Sequence, residues 1–217
     1  SRKIIVRIID EQGIEELKRR IILNLKDLLK MIEWNEQNGI KVFRLSSELF
    51  LHKTNPKVPD YDYEFAKELL KQVGDLAKKY NQRLTFHPGQ YNVLASLNKK
   101  SYEHTLLDLE YHADVLDLMG MGSDSVMVIH GGGTYGDKEK TKERWCKQFK
   151  ELPENVQKRL VLENCEKNFS IQDCLDVSKK VNVPVVFDTH HFECYKLLHK
   201  DEKFKEPDYY IPEILET

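Results

Sequence analysis

Residues able to ligate a cation or move a proton follow a series of short apolar runs. Leu84-Thr85-Phe86 leads into His87, and Val126-Met127-Val128-Ile129 into His130. Leu160-Val161-Leu162 leads into Glu163 and Asn164, and Val185-Val186-Phe187 into Asp188, with His190 and His191 close behind. Imidazoles and carboxylates are ligands for zinc, manganese or iron, and a bridging carboxylate can hold two ions together. Each residue alone has an ordinary alternative. A histidine after a strand commonly serves as a hydrogen-bonded structural residue, Glu163 could pair with a lysine, and Asp188 could cap a following helix. Four separate runs ending alike point to a metal site. No cysteine stands at these ends, which argues against a closed structural zinc site. His190 and His191, as neighbours on an extended segment, would face opposite sides, so one binds and the other packs. His104 and His112 read as ordinary helical residues, and His199, in a lysine-rich tail, as solvated.

The apolar runs have the length and β-branched content of buried parallel strands, and Val42-Phe43-Arg44-Leu45 is another. Lys3 to Ile9 reads as a further strand. Between the runs the period is helical. Ile14, Leu17, Ile21, Leu25, Leu28 and Ile32 form one stripe on a helix from about 14 to 37, with Gly39 as its stop. Phe65 to Ala77 carries a second stripe. Leu106 to Met119 carries a third, opened by Ser101 and closed by Gly120. Ser170-Ile171-Gln172-Asp173 is a capping box opening a fourth, with Cys174 inward. Strands alternating with helices imply βαβ units and a parallel sheet. No glycine-rich nucleotide motif follows any strand, so a (β/α)8 TIM barrel is favoured over an open doubly wound sheet. In a barrel every strand's C-terminal end lies on one rim, where active sites are built. Five strands, or six with Lys3 to Ile9, are fewer than eight, so the barrel is expected to be incomplete, its first and last strands lying outside residues 1–217.

The chain has 217 residues, 34 Lys and Arg against 36 Asp and Glu, and a net charge of −2; 40% is hydrophobic and 32% charged. One domain over residues 1–217 is the default. No run of about 18 apolar residues could span a membrane, and no signal peptide is evident. Cys146, Cys165, Cys174 and Cys194 show no C-x-x-C spacing, which suggests reduced thiols in a cytosolic or nuclear protein. The near-neutral charge excludes binding to nucleic acid by bulk positive charge but not by a metal cluster or local patch. Two loops follow the candidate ligands. His87-Pro88-Gly89-Gln90-Tyr91-Asn92 offers an amide and an aromatic, and His130-Gly131-Gly132-Gly133-Thr134-Tyr135-Gly136-Asp137-Lys138 allows backbone amides to approach an anion. In the plain alternative, Tyr91 packs under its loop and the glycines make turns. Ser46-Ser47-Glu48-Leu49-Phe50-Leu51-His52 brings another histidine after the Val42–Leu45 run.

With these stretches in view, the sequence resembles the UV damage endonucleases, metal-dependent DNA repair enzymes of the (β/α)8 class. The resemblance rests on Phe43 to Phe50, His87 to Tyr91, Glu110-Tyr111-His112, Leu116 to Gly120, His130 to Lys138, Leu152-Pro153, Leu162-Glu163-Asn164 and Phe187 to His191. It implies up to three divalent ions, usually manganese, with zinc or magnesium as alternatives. His87 and His130 correspond to ligands of one ion, Glu163 to a bridge, Asp188 to a ligand of the second ion and His191 of the third. Glu163 and Asp188, with His52, are the implied catalytic residues, although Asn55 aligns as well as His52. Gln90 and Tyr91 match the pair that enters the duplex at a lesion, and Tyr135 and Lys138 fall where phosphate or loop-positioning contacts are expected. The implied reaction is hydrolysis of the phosphodiester 5′ to pyrimidine dimers and 6-4 products in double-stranded DNA. The resemblance implies no membrane association, a monomer, and a place with DNA in the cytoplasm or nucleus.

The family's first strand and its last two strands, which bring a modified lysine and further ligands, have no counterpart within 1–217. Leu51 and Cys165 also depart from common family residues. An abasic-site nuclease like endonuclease IV, a metal-dependent sugar isomerase, or a truncated barrel that binds DNA without cutting it therefore remain alternatives.

Overall fold

A computed structural model describes residues 2–217. Among them the chain forms two compact units, residues 1–87 with 111–126, and residues 88–110 with 127–217.

The first unit holds α1 (Val6–Gln12), α2 (Ile14–Gln37), β1 (Val42–Arg44), α3 (Lys67–Lys79) and β2 (Arg83–Thr85). The stripe read on α2 is its buried face: Leu17, Ile21, Leu25, Leu28 and Ile32 are all enclosed. Asn38 caps the helix, and Gly39, at a φ of 70°, takes the chain out in a left-handed turn. β1 and β2 pair in parallel, Val42 opposite Arg83 and Arg44 opposite Thr85. Gly74 on α3 is required by close approach: a Cβ there would lie 1.7 Å from the Met119 carbonyl oxygen. The strand expected over Lys3 to Ile9 is instead an extended start followed by α1. Ile5 is exposed while Ile4 and Ile9 are buried, so the run has no strand-like alternation to bury, and Gly13 ends the helix by donating to Ile9 O at 2.8 Å.

The second unit holds β3 (Met127–His130), α5 (Lys138–Lys150), α6 (Glu154–Gln157), β4 (Leu160–Glu163), α7 (Ile171–Val181), β5 (Val185–Val186), α8 (Thr189–Leu198) and α9 (Pro207–Leu215). The long helix α4 (Lys99–Leu118) begins in this unit and ends in the first. The sheet order is β3-β4-β5, all parallel, with β4 central and buried along its whole length. A central parallel strand is covered on both faces, which explains the unbroken Leu160-Val161-Leu162 run. The capping box is formed as read: Ser170 and Asp173 bond each other's backbone at the start of α7, and Cys174 is buried. No helix among the described residues is long and apolar enough to cross a membrane.

Candidate metal centre

Parallel pairing fixes the heart of the site. In the β3–β4 register His130 stands opposite Glu163, the last residue of each strand. Paired residues in a parallel sheet put their side chains on the same face, so imidazole and carboxylate must meet. They do: His130 Nε2 lies 2.7 Å from Glu163 Oε2. Glu163 is only 6% exposed. A buried carboxylate needs a charged partner or several donors to offset its lost hydration. His87, His130 and Glu163 each offer a ligand atom, and these atoms lie within 4.8 Å of one another.

The next strand supplies the flank. Asp188 follows β5 and caps α8, its Oδ1 accepting from the His191 backbone N–H at 2.8 Å. The capping alternative is thus realised, and its Oδ2 lies 3.9 Å from His191 Nδ1. The pair His190 and His191 is not extended but lies in the first turn of α8. Helical phase turns His190 outward, within 3.8 Å of Cys194 Sγ, and brings the His191 ring to 5.1 Å from that of His130. His191 Nδ1 lies 3.0 Å from the Asn164 carbonyl oxygen. A carbonyl only accepts, so that nitrogen carries the proton and a neutral His191 keeps its lone pair on Nε2, the form in which a histidine ligates.

Asn164 is the residue that the sequence did not single out. It is 1% exposed, and its side chain clamps the Asp188 backbone from both sides, Oδ1 accepting from N–H at 2.8 Å and Nδ2 donating to the carbonyl at 2.9 Å. Together with its carbonyl on His191, Asn164 ties the end of β4 to the start of α8. Its position directly after Glu163 was the only signal.

The remaining expected residues are placed differently. Gln90 and Tyr91 are exposed at a tight turn, where a Gly89 Cβ would lie 2.5 Å from the Tyr91 ring; that ring meets His104 edge-on at 5.9 Å. Tyr135 is exposed at a φ of 52° beneath the Arg144 guanidinium, 5.5 Å from its ring centre. Lys138 Nζ donates to Asp173 at 3.0 Å and to Tyr195 at 2.8 Å. In the first unit both ring nitrogens of His52 are occupied: Nε2 lies 2.7 Å from Ile4 O, and Asn55 Nδ2 lies 3.1 Å from Nδ1. His199, expected in solvent, stacks on Tyr195 with ring centres 4.0 Å apart and bonds Lys167 O. The Gly-rich loop is shaped by packing at Gly131, where a Cβ would lie 2.2 Å from the Phe169 ring.

The donor set passes a chemical test for a divalent cation. It combines imidazole nitrogens with a buried carboxylate and contains no thiolate, which suits manganese, zinc or iron. The sequence profile of the family described as UV-endonuclease UvdE matches residues 4–217. The chain belongs to the UvdE family. It is 45% identical over 195 residues to a protein of Acanthamoeba polyphaga mimivirus, a match covering 88% of this chain and 59% of that protein. It is 40% identical over 195 residues to the UV-damage endonuclease of Schizosaccharomyces pombe, covering 88% of this chain and 32% of that enzyme. Of these two UvdE-type relatives it therefore spans between about a third and three fifths. The crystal structure of SacUVDE superposes with a TM-score of 0.88 at 30% identity, covering 100% of this chain and 71% of that one. The TIM-barrel class expected from alternating strands and helices is the fold class of these structural matches.

Proposed function

We propose that this chain acts in a DNA-repair endonuclease that hydrolyses the phosphodiester 5′ to UV photoproducts in double-stranded DNA, using divalent ions, manganese foremost. The observation that carries the reading is Glu163, a carboxylate enclosed at the end of the central strand and facing His130 at 2.7 Å. Strand packing has no use for a charge there, whereas a cation held by that carboxylate, His87 and His130 would balance it. Asp188 and His191 extend the donor set on the α8 side. When bound, divalent ions supply hydroxide at neutral pH and stabilise the attacking and leaving oxygens of an in-line displacement.

The chain's own groups do the rest. Asn164 orients Asp188 and His191, so that their donor atoms are set before any cation arrives. Gln90 and Tyr91 stand exposed at a turn, as a pair entering a duplex must. An aromatic ring can replace stacking lost around a distorted pyrimidine pair, and an amide can bond a base edge. Bound cations also answer how a chain of net charge −2 approaches a polyanion.

The test is end-labelled duplex DNA, irradiated or not, incubated with the protein and Mn²⁺. The expected result is nicking of the irradiated strand 5′ to the lesion, leaving a 3′-hydroxyl, and sparing of the unirradiated duplex. Equal cleavage of both would refute lesion recognition. A Gln90→Ala/Tyr91→Ala double variant is expected to lose the preference for irradiated DNA while keeping its metal.

A further inference from the structure

Lys138 sits at the junction of the Gly-rich loop and α5, where a phosphate contact would be natural. Its surroundings point elsewhere. The ammonium donates to Asp173 Oδ2 on α7 at 3.0 Å and to the Tyr195 hydroxyl on α8 at 2.8 Å, and lies 5.4 Å from the centre of that tyrosine ring. Asp173 is itself buried and fully engaged. Its Oδ2 also accepts from the Ser170 backbone N–H at 2.9 Å and from Ser170 Oγ at 2.8 Å, and its Oδ1 from Lys142 at 3.3 Å. Lys142 continues to Asp176 at 3.1 Å and Glu139 at 2.7 Å. Burial works against the charge on Lys138, but its bonds to Tyr195 and Asp173 outweigh that and keep the ammonium firmly protonated.

Tyr195 is the informative end of this chain of bonds. It is 1% exposed and wedged between His199, with ring centres 4.0 Å apart, and Phe204 at 5.8 Å. It lies four residues after His191, one turn along the same face of α8. Fixing Tyr195 therefore fixes the rotation of α8 about its axis, and with it the direction of the His191 ring.

We infer that Lys138 is a positioning residue, a strut from the Gly-rich loop through Tyr195 that holds α8, and so His191, in register with His130. The inference rests on the metal-centre reading for its purpose, but not for its test. Lys138→Met keeps most of the apolar stem and removes the charge; Tyr195→Phe removes only a hydroxyl that is too buried to meet DNA. Amide hydrogen exchange of α8, measured without metal or DNA, is expected to rise about tenfold or more in both variants. The slope of DNA affinity against salt is expected to stay at the wild-type value in both. Unchanged exchange in α8 for both variants would overturn the strut. So would a slope shallower by about one ion in Lys138→Met with normal α8 exchange, the mark of a phosphate contact. A chain that shows the exchange effect but never cuts irradiated DNA would count against the proposed function and leave the strut standing.

Discussion

Polar groups beyond the strands of the β1–β2 sheet serve the backbone. Ser47 Oγ donates to His87 O at 3.0 Å, and the Tyr111 hydroxyl bridges Ser47 O and the Phe50 N–H at 3.1 Å each. His52 is held by Ile4 and Asn55. Beyond the β3–β4–β5 sheet the pattern is reversed. One side chain, Asn164, satisfies the backbone, and by doing so leaves Glu163, Asp188 and His191 oriented with ligand atoms to offer. The difference teaches that a histidine or carboxylate near a strand end gains a function only when another residue has taken over the task of closing the loop.

That contrast can be broken most forcefully at Glu163. Glu163→Gln removes the charge without changing shape, and nicking of irradiated DNA is expected to fall by about 10³-fold, several kcal/mol of lost transition-state stabilisation, with little change in melting temperature. In the first unit the largest effect should be on stability alone. Gly74→Ala drives a methyl group into the Met119 carbonyl and is expected to cost about 3 kcal/mol in chemical unfolding, with residual folded protein keeping its metal affinity.

Asn164→Ala should do both at once. It leaves the Asp188 N–H and carbonyl unpaired, for about 2 kcal/mol, and lowers manganese affinity 10–100-fold by freeing the α8 donors. Both effects are read by paired melting and titration experiments.

The smallest effect separates the units by pH. Burial raises the Asp173 carboxyl, but its bonds to Lys138 and Ser170 outweigh this and set its folded pKa below the ordinary value. A depressed carboxylate stabilises above its unfolded pKa, about 4, and that stability is lost as pH falls through the folded pKa. Melting curves should therefore show an acid loss below about pH 4 that Asp173→Asn flattens, whereas Tyr111→Phe lowers stability by about 1 kcal/mol at every pH.

How much of this was legible in the sequence depended on the range of the interaction. The α2 stripe and the Ser170–Asp173 box are local patterns that few other conformations satisfy, and both are formed as read. The meeting of His130 with Glu163 was legible because parallel register makes strand ends coincide. What could not be read was which side chains are already taken by partners far along the chain. His52 is held by Ile4 and Lys138 by Asp173, and neither spacing carries a local signal. The phase of His190 and His191 was missed because Asp188 starts a helix at once, turning an expected two-sided alternation into a helical one. The N-terminal run was misread for a similar reason, since Ile4 and Ile9 alone are buried and a short helix presents them.

The central claim is that a buried carboxylate facing an imidazole at the end of the central strand holds a divalent cation. Titration of Mn²⁺ into wild-type protein and Glu163→Gln, followed by calorimetry with the released protons counted, measures this directly. The account predicts tight binding with proton release in the wild type, and affinity at least 100-fold weaker in the variant. Equal affinity in the two proteins would contradict it.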